Sequence, residues 1–151
     1  MFRLHDFVFL LWFLSFFAAA YAQADHVFAR YEAGMDKPEE TVTAYVYKWS
    51  SDNRMLATIR GQTYSIRMQG IEIAADPSVR LFLKEKLVGH VVELEYDEQA
   101  RDAEGNITAY VWIGEEMLNR RLLAEGYAEV NRSPGQTRYL DAFARAQMAA
   151  N

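Results

Sequence analysis

The chain has 151 residues, the length of one ordinary domain. Hydrophobic residues make up 51% and charged residues 25%, a composition that excludes a disordered or low-complexity protein. The absence of cysteine excludes disulfides and thiolate metal sites. The net charge of −5 disfavours loose, sequence-independent binding to nucleic acid, which depends on Lys and Arg at phosphates.

The first 22 residues have the pattern of a secretory signal peptide. A short head with Arg3 as its only basic residue precedes an apolar run over residues 7–20, and Ala20-Tyr21-Ala22 supplies an A-x-A cleavage site. Cleavage after Ala22 would leave no membrane span and a periplasmic or secreted protein. The alternative is a retained anchor, although the apolar run is shorter than the roughly 20 residues that a spanning helix needs.

Residues 23–40 read as a lead-in segment that packs on the edge of a domain formed by residues 41–151. Three strands are predicted next, over residues 41–49, 54–60 and 63–69, with Gly61-Gln62 as the turn between the last two. One face of the first strand carries Tyr45, Tyr47 and Trp49. These rings form either a stacking platform for bases or a packing surface.

A helix is predicted to begin at Asp76-Pro77, with Asp76 as its N-cap, and to end at Gly89. A strand over residues 90–96 follows, with Val92, Leu94 and Tyr96 facing inward and Glu93 and Glu95 outward. The remaining predicted elements are a charged loop over 97–106, a strand over 107–113, and helices over 115–125 and 137–149.

This order of elements predicts an α+β fold that is mainly a β barrel, a five-stranded Greek-key barrel of the OB type with three helices. In that fold the loops over residues 50–53 and 97–106 flank the binding face. A generic α+β domain is the alternative.

Residues 114–130 read GEEMLNRRLLAEGYAEV, close to the pattern G-x-x-x-N-x-x-L-V-x-x-G-x-A-x-V with small changes in spacing. Residues 87–89, which lead into the fourth predicted strand, and residues 143–147, in the last predicted helix, add similar scaffold motifs. Over residues 42–149 the chain therefore resembles the thermonuclease family, the staphylococcal-nuclease-like OB domains. These motifs support the fold and not catalysis.

The family's active-site motifs are altered. Where the family has D-G-D-T, this chain has residues 51–54, SDNR, so the metal-binding Asp falls on Asn53, or on Asp52 if the turn shifts by one residue. Where the family has R-x-x-G-I-D-x-P-E, residues 67–75 read RMQGIEIAA. The resemblance then keeps Arg67, puts Glu72 at the metal and replaces the general base by Ala75.

The third motif, D-x-x-G-R, appears as residues 102–106, DAEGN, so that Asn106 stands where the family has its second phosphate-binding Arg. The main hypothesis is therefore a catalytically degenerate domain that binds a ligand and needs no cofactor. Its candidate binding residues are Asp52, Asn53, Arg67, Arg101 and Asn106. The expected partner is a protein or an envelope ligand, and the net charge disfavours nucleic acid.

The alternative hypothesis is a weak or altered calcium-dependent nuclease. In it Asp52 and Glu72 bind the ion, Asp76 acts as a displaced base and Arg67 contacts the phosphate, while Arg101 replaces the missing loop Arg. Purely structural roles are the alternative for two of these residues. Asp76 is expected as a helix N-cap, and Arg67 as an ion-pair partner of Glu72 or Glu93.

Overall fold

The computed structural model describes residues 35–132 and 138–151. The chain divides into two units, Met1–Asp36 and Lys37–Asn151, and the second contains all the elements described below. The predicted signal peptide and most of the lead-in lie outside the described residues. In the part of the chain that is described, every helix is too short or too polar to cross a membrane.

Strands and helices follow the predicted order, with three short strands added. The strands are β1 (Val42–Trp49), β2 (Met55–Ile59), β3 (Gln62–Met68), β4 (Ile71–Ile73), β5 (Val91–Glu95), β6 (Ile107–Ile113), β7 (Glu116–Met117) and β8 (Ala128–Val130). The helices are α1 (Pro77–Leu87), α2 (Leu118–Ala124) and α3 (Leu140–Ala149).

Five of the strands close a mixed barrel. β1 pairs antiparallel with both β2 and β5, β2 pairs with β3, and β5 pairs with β6. A parallel pairing of β3 with β6, in the register Ile66↔Ile107, joins the two ends of this sheet. This topology confirms the predicted five-stranded OB barrel with three helices. Closure also leaves these five strands without a free edge, which protects them from pairing with other chains.

The barrel interior is filled by alternate side chains of its strands. Ala44 and Val46 of β1, Ala57 of β2 and Leu94 of β5 are at most 1% exposed. β6 is buried on both faces because Tyr110, on its outer side, packs against Tyr139 and Phe143 at the start of α3. The indole of Trp112 donates to Glu95 in the same layer. The core therefore extends from the barrel into the layer under α2 and α3.

The turn between β2 and β3 differs from the predicted one. The pairing Ile59↔Gln62 makes Arg60-Gly61 the two central residues, where Gly61-Gln62 was predicted. Both residues have positive φ, 49° at Arg60 and 81° at Gly61. A two-residue turn with positive φ at both positions matches the right-handed twist of the strands, so Gly at the second position fixes the register.

The predicted helix over residues 115–125 is also partly wrong. A turn at Gly114-Glu115, where Gly114 has a φ of 60°, reverses the chain into β7, and Trp112 pairs with Met117. α2 starts only at Leu118. Neither β4 nor β8 was predicted, because each has three residues, too few for alternation to be recognised, and each is held by the other through Glu72↔Glu129.

Two side-chain orientations depart from strict alternation. A bulge in β1 between Val46 and Lys48 turns Trp49 inward to 8% exposure, while Tyr45 and Tyr47 stay 48% and 42% exposed. The three aromatic rings therefore do not share a face. Glu95, predicted to face outward, is 3% exposed because the outer face of β5 lies under the start of α3.

Candidate functional site

A depression of about 140 Å³ lies where β3, β4 and two loops meet. We name it the β3–β4 depression. Four predicted site residues line it: Asp52 and Asn53 from the β1–β2 turn, Arg67 from β3 and Glu72 from β4. Its other lining residues are Met68, Gly70, Ile71, Ile73, Asp102, Thr108 and Asn131. The barrel thus brings together residues that are far apart in the sequence, since Asp52 and Asn131 are separated by 79 positions.

Arg67 supplies the depression's positive charge. Its Nε lies 3.7 Å from Asp102 Oδ2 and its Nη2 lies 3.9 Å from Glu104 Oε2, so both ion pairs are long. Within the described ranges Nε is buried and has no hydrogen-bond partner. The predicted pairing with Glu72 or Glu93 is therefore wrong, and Arg67 is loosely held enough to contact a ligand.

Asp102 is a site residue that sequence reasoning did not select. Its Oδ1 accepts hydrogen bonds from the backbone N–H of Glu104, at 3.0 Å, and of Asn106, at 2.9 Å. Burial raises its pKa, but the hydrogen bonds from Asn106 and Glu104 and the charge of Arg67 outweigh this, so that the pKa lies below its usual 3.8. The sequence does indicate Asp102, because it is the first residue of the segment that matches the D-x-x-G-R motif.

Asn106 has a structural role in the same loop. It is 8% exposed, its Nδ2 donates to Asp102 Oδ2 at 2.9 Å, and its Oδ1 accepts from Arg54 Nη1 at 2.8 Å. It therefore ties the β5–β6 loop to the start of β2 and does not line the β3–β4 depression.

Asp52 and Asn53 are held by neighbours in the β1–β2 turn. Asp52 accepts a hydrogen bond from Ser50 Oγ and pairs with Arg54 Nη2 at 2.6 Å. The Ser50 hydrogen bond lowers the pKa of Asp52, burial opposes this, and the Arg54 charge lowers it further. Asn53 has a φ of 57°, and its Nδ2 donates to the carbonyl of Ile73 at 3.3 Å, which fixes the turn against β4.

Asp76 and Arg101 lie away from this depression. Asp76 is the N-cap of α1, accepting from the backbone N–H of Ser78 at 2.7 Å and from its hydroxyl at 2.6 Å. The two Ser78 hydrogen bonds lower the pKa of Asp76. It lines a second depression, together with Ala75 and Arg80. The N-cap prediction is confirmed.

A calcium ion is the cofactor that the resemblance implies, and the donor set fits it poorly. Calcium takes six to eight oxygen ligands, with several carboxylates among them. Asp52, Glu72 and Asp102 line one depression, but over residues 35–132 and 138–151 no three His, Asp or Glu side chains are close enough to share an ion. Asp52 is also paired with Arg54. The assignment of Asp52 and Glu72 as metal ligands stays a prediction.

Comparison with known proteins bears on the same region. The model of the family described as staphylococcal nuclease homologue matches residues 77–151. This match covers 75 of the 151 residues, so the chain is similar to the staphylococcal nuclease-like family over just under half of its length. The thermonucleases of Staphylococcus hyicus and Staphylococcus intermedius are each 39% identical to it over 69 residues. That match covers 46% of this chain and 41% of either relative, so the chain matches less than half of their length.

The family match covers only part of the altered site of this staphylococcal nuclease-like chain. Residues 77–151 contain the three helices of the described part of the chain, together with Asp102 and Asn106. Asp52, Arg67 and Glu72 precede the matched region.

Proposed function

We propose that this staphylococcal nuclease-like domain binds a ligand in the β3–β4 depression and does not cleave phosphodiester bonds. The observation that carries this proposal is the absence of a carboxylate at the base position of the family motif. Ala75 stands there, and the neighbouring carboxylate of Asp76 is engaged as the N-cap of α1, accepting from the N–H and the hydroxyl of Ser78. A positioned general base contributes about 10²–10⁴-fold in rate.

The cationic side of the site is incomplete as well. Arg67 is the one Arg among the residues that line the depression, and Asn106, at the second Arg position, is a buried structural side chain. Losing one donor that stabilises transition-state charge costs about 10²–10³-fold. The loss of both groups, together with the poor calcium donor set, supports binding without turnover.

The charge of the site supports a protein or envelope ligand over nucleic acid. Three carboxylates, those of Asp52, Glu72 and Asp102, line the depression against the single guanidinium of Arg67. The chain as a whole carries a net charge of −5. Both features repel a polyanion, since such binding depends on cationic side chains at the phosphates.

A second function, weak or altered calcium-dependent nuclease activity, rests on one observation. Asp52, Glu72, Asp102 and Arg67 share one depression, which is the arrangement of carboxylates and a guanidinium that metal-assisted phosphodiester hydrolysis uses. In this chain such activity would need a water molecule activated without a side-chain base.

A cleavage assay separates the two functions. The purified full chain is incubated with fluorogenic DNA and RNA, once with calcium and once with chelator, beside an Arg67→Ala variant and the control Arg145→Ala, which changes an exposed Arg on α3. We expect no turnover above the Arg67→Ala background. Calcium-dependent turnover that Arg67→Ala abolishes and Arg145→Ala keeps would establish the nuclease function and reject the binding proposal.

We also propose that the protein is exported and processed after Ala22. The apolar run over residues 7–20 and the A-x-A sequence that follows support this. The intact mass of the protein expressed in a bacterial host tests it. A mature mass beginning at Gln23 in the periplasm or the medium is expected, whereas an uncleaved protein in the membrane fraction would establish the anchor.

A further inference from the structure

A second groove lies apart from the β3–β4 depression. It has a volume of about 230 Å³ and is bordered by the β2–β3 hairpin on one side and by the loop between β5 and β6 on the other. Its lining residues are Ile59, Tyr64, Tyr96, Ala100, Arg101 and Ile107. We name it the Tyr64–Tyr96 groove. It shares no lining residue with the β3–β4 depression.

The groove combines aromatic rings with one available cation. Its walls are aliphatic and aromatic, and no carboxylate lines it. Arg101 is exposed, and its Nη1 donates to the carbonyl of Gly105 at 2.8 Å, which orients the guanidinium. Among the described residues no carboxylate lies within 4.0 Å of that guanidinium. The charge of Arg101 is therefore open to an anionic group from outside.

The backbone under these side chains is fixed before any ligand arrives. Arg101 forms an isolated bridge to Ile107, and the N–H of Thr108 donates to the carbonyl of Ala100 at 2.9 Å. On the opposite side, the Tyr64 hydroxyl donates to Gln62 Oε1 at 2.7 Å. A preorganised site loses less conformational entropy on binding than a mobile one does.

The phenol of Tyr96 remains uncharged at neutral pH. Burial raises the pKa of Tyr96 above its usual 10.0, and the nearby Tyr64 raises it further, while Arg101 opposes this. Neutral phenol rings offer their faces and edges to another aromatic ring, in stacked or edge-to-face geometry. A guanidinium beside them pairs with a carboxylate or phosphate through charge-assisted hydrogen bonds.

We propose that the Tyr64–Tyr96 groove binds a small ligand in which an aromatic ring carries an anionic group. The ring lies against Tyr64 and Tyr96, and the anion pairs with Arg101. A nucleoside monophosphate and an aromatic carboxylate share this chemistry. The site is separate from the β3–β4 depression and does not depend on the function proposed for it.

The test is a titration of the isotope-labelled full chain followed by backbone amide shifts, in the presence of EDTA so that no metal-dependent binding occurs elsewhere. The probes are AMP for the phosphate source and phenylacetate for the carboxylate source. Adenosine and inorganic phosphate serve as controls that lack the anion or the ring. The variants are Arg101→Gln and Tyr64→Leu at the groove, Arg67→Gln at the depression and Arg145→Gln on the exposed face of α3.

We expect shifts at the groove residues with at least one probe, with a Kd on the order of 1 mM. Arg101→Gln should weaken that binding about tenfold and Tyr64→Leu should also weaken it, while Arg67→Gln and Arg145→Gln leave it unchanged. A response to AMP alone identifies a nucleotide-type ligand, and a response to phenylacetate alone identifies an aromatic acid.

Three results would overturn the proposal. The first is the absence of shifts at the groove with both probes. The second is binding that Arg67→Gln abolishes and Arg101→Gln leaves intact, which would place the ligand in the β3–β4 depression. The third is binding of adenosine or inorganic phosphate as tight as that of AMP, because the ring and the anion would then not act together.

Discussion

The carboxylate of Glu95 accepts a hydrogen bond from the indole Nε1 of Trp112 at 2.9 Å, inside the layer between the barrel and α3. The same carboxylate accepts from the hydroxyl of Tyr139 at 2.9 Å and pairs with Arg138 Nη1 at 2.7 Å. One buried acid thereby joins β5, β6 and the residues that begin α3. A buried carboxylate is tolerated here because three donors surround it.

Glu95→Ala should destabilise the fold by about 3 kcal/mol, because the donors on Trp112 and Tyr139 lose a buried acceptor. Urea unfolding followed by circular dichroism measures the change. Glu98→Ala, three positions along and exposed, is the matched control and should change stability by less than about 0.5 kcal/mol. Equal effects of the two variants would show that the Glu95 network contributes nothing specific.

Asn119 should be as important to stability as a large apolar core residue. It is fully buried, its Oδ1 accepts from the N–H of Val111 at 2.8 Å, and its Nδ2 donates to the carbonyl of Gln69 at 2.9 Å. Asn119→Leu keeps the volume but leaves two backbone groups unpaired, at a cost of about 2–4 kcal/mol. Thermal unfolding checks this against Asn151→Leu, an exposed position where little change is expected.

The hairpin turn offers a stabilising change. Arg60 has a φ of 49°, which costs free energy for a residue with a long side chain, whereas Asn tolerates this conformation. Arg60→Asn should raise the free energy of unfolding by about 0.5–1 kcal/mol. Arg60→Ala removes the same charge without easing the backbone, and it should give no gain in urea unfolding. A gain of equal size in both variants would instead point to the lost charge.

Stability should decrease in acid, in part through Asp102. Its pKa is lowered in the folded state, so the charged form favours folding at pH values above its unfolded pKa of 3.8. That contribution is lost as the pH falls through the lower, folded-state pKa. The stability difference between the wild type and Asp102→Asn should therefore be largest near neutral pH and shrink below about pH 4.

Urea unfolding of both proteins between about pH 7 and pH 2.5 measures this difference. Ala103→Ser, in the same loop, alters no ionisable group and is the control, whose difference from the wild type should not follow the same curve. An Asp102→Asn difference that is constant over the whole range would show that the carboxylate's charge does not stabilise the loop.

Restoring the family's residues should create cleavage activity. In the triple variant Asn53→Asp, Glu72→Asp and Ala75→Glu, two calcium ligands and the base return to the matched positions. We expect calcium-dependent cleavage of fluorogenic DNA at least about tenfold above the wild-type background. Addition of Arg67→Gln should abolish it. A triple variant that folds, as judged by its thermal unfolding, and still gives no turnover would show that more than these residues is missing.

Much of this structure could be predicted from local sequence patterns. Alternation placed Val92 and Leu94 inside, and Asp76 followed by Pro77 marked the start of α1 correctly. These features depend on a residue and its near neighbours, which is why sequence patterns find them. The position of the β2–β3 turn was missed by one residue, since a choice between Arg60-Gly61 and Gly61-Gln62 depends on how two strands pair.

The candidate site, too, was predicted only in part from the sequence. Motif position identified Arg67 and Glu72, which do line one depression, and it could equally have identified Asp102. Motif position also proposed Asn106, and its place in the same loop proposed Arg101, but neither side chain lines that depression. Asn106 is buried beside Arg54, and Arg101 lies in the Tyr64–Tyr96 groove. Adjacency in a loop does not fix the direction of a side chain, and the contacts across the barrel do.

The sequence by itself therefore determined the barrel and its helices, because hydrophobic periodicity, capping residues and motif spacing are local properties. Only the tertiary structure decided that Glu95 is buried, that a bulge turns Trp49 inward, and that Asp76 and Arg101 lie outside the β3–β4 depression. Those outcomes depend on contacts between residues far apart in the chain. Their free energies arise only when closure of the barrel removes water from between them.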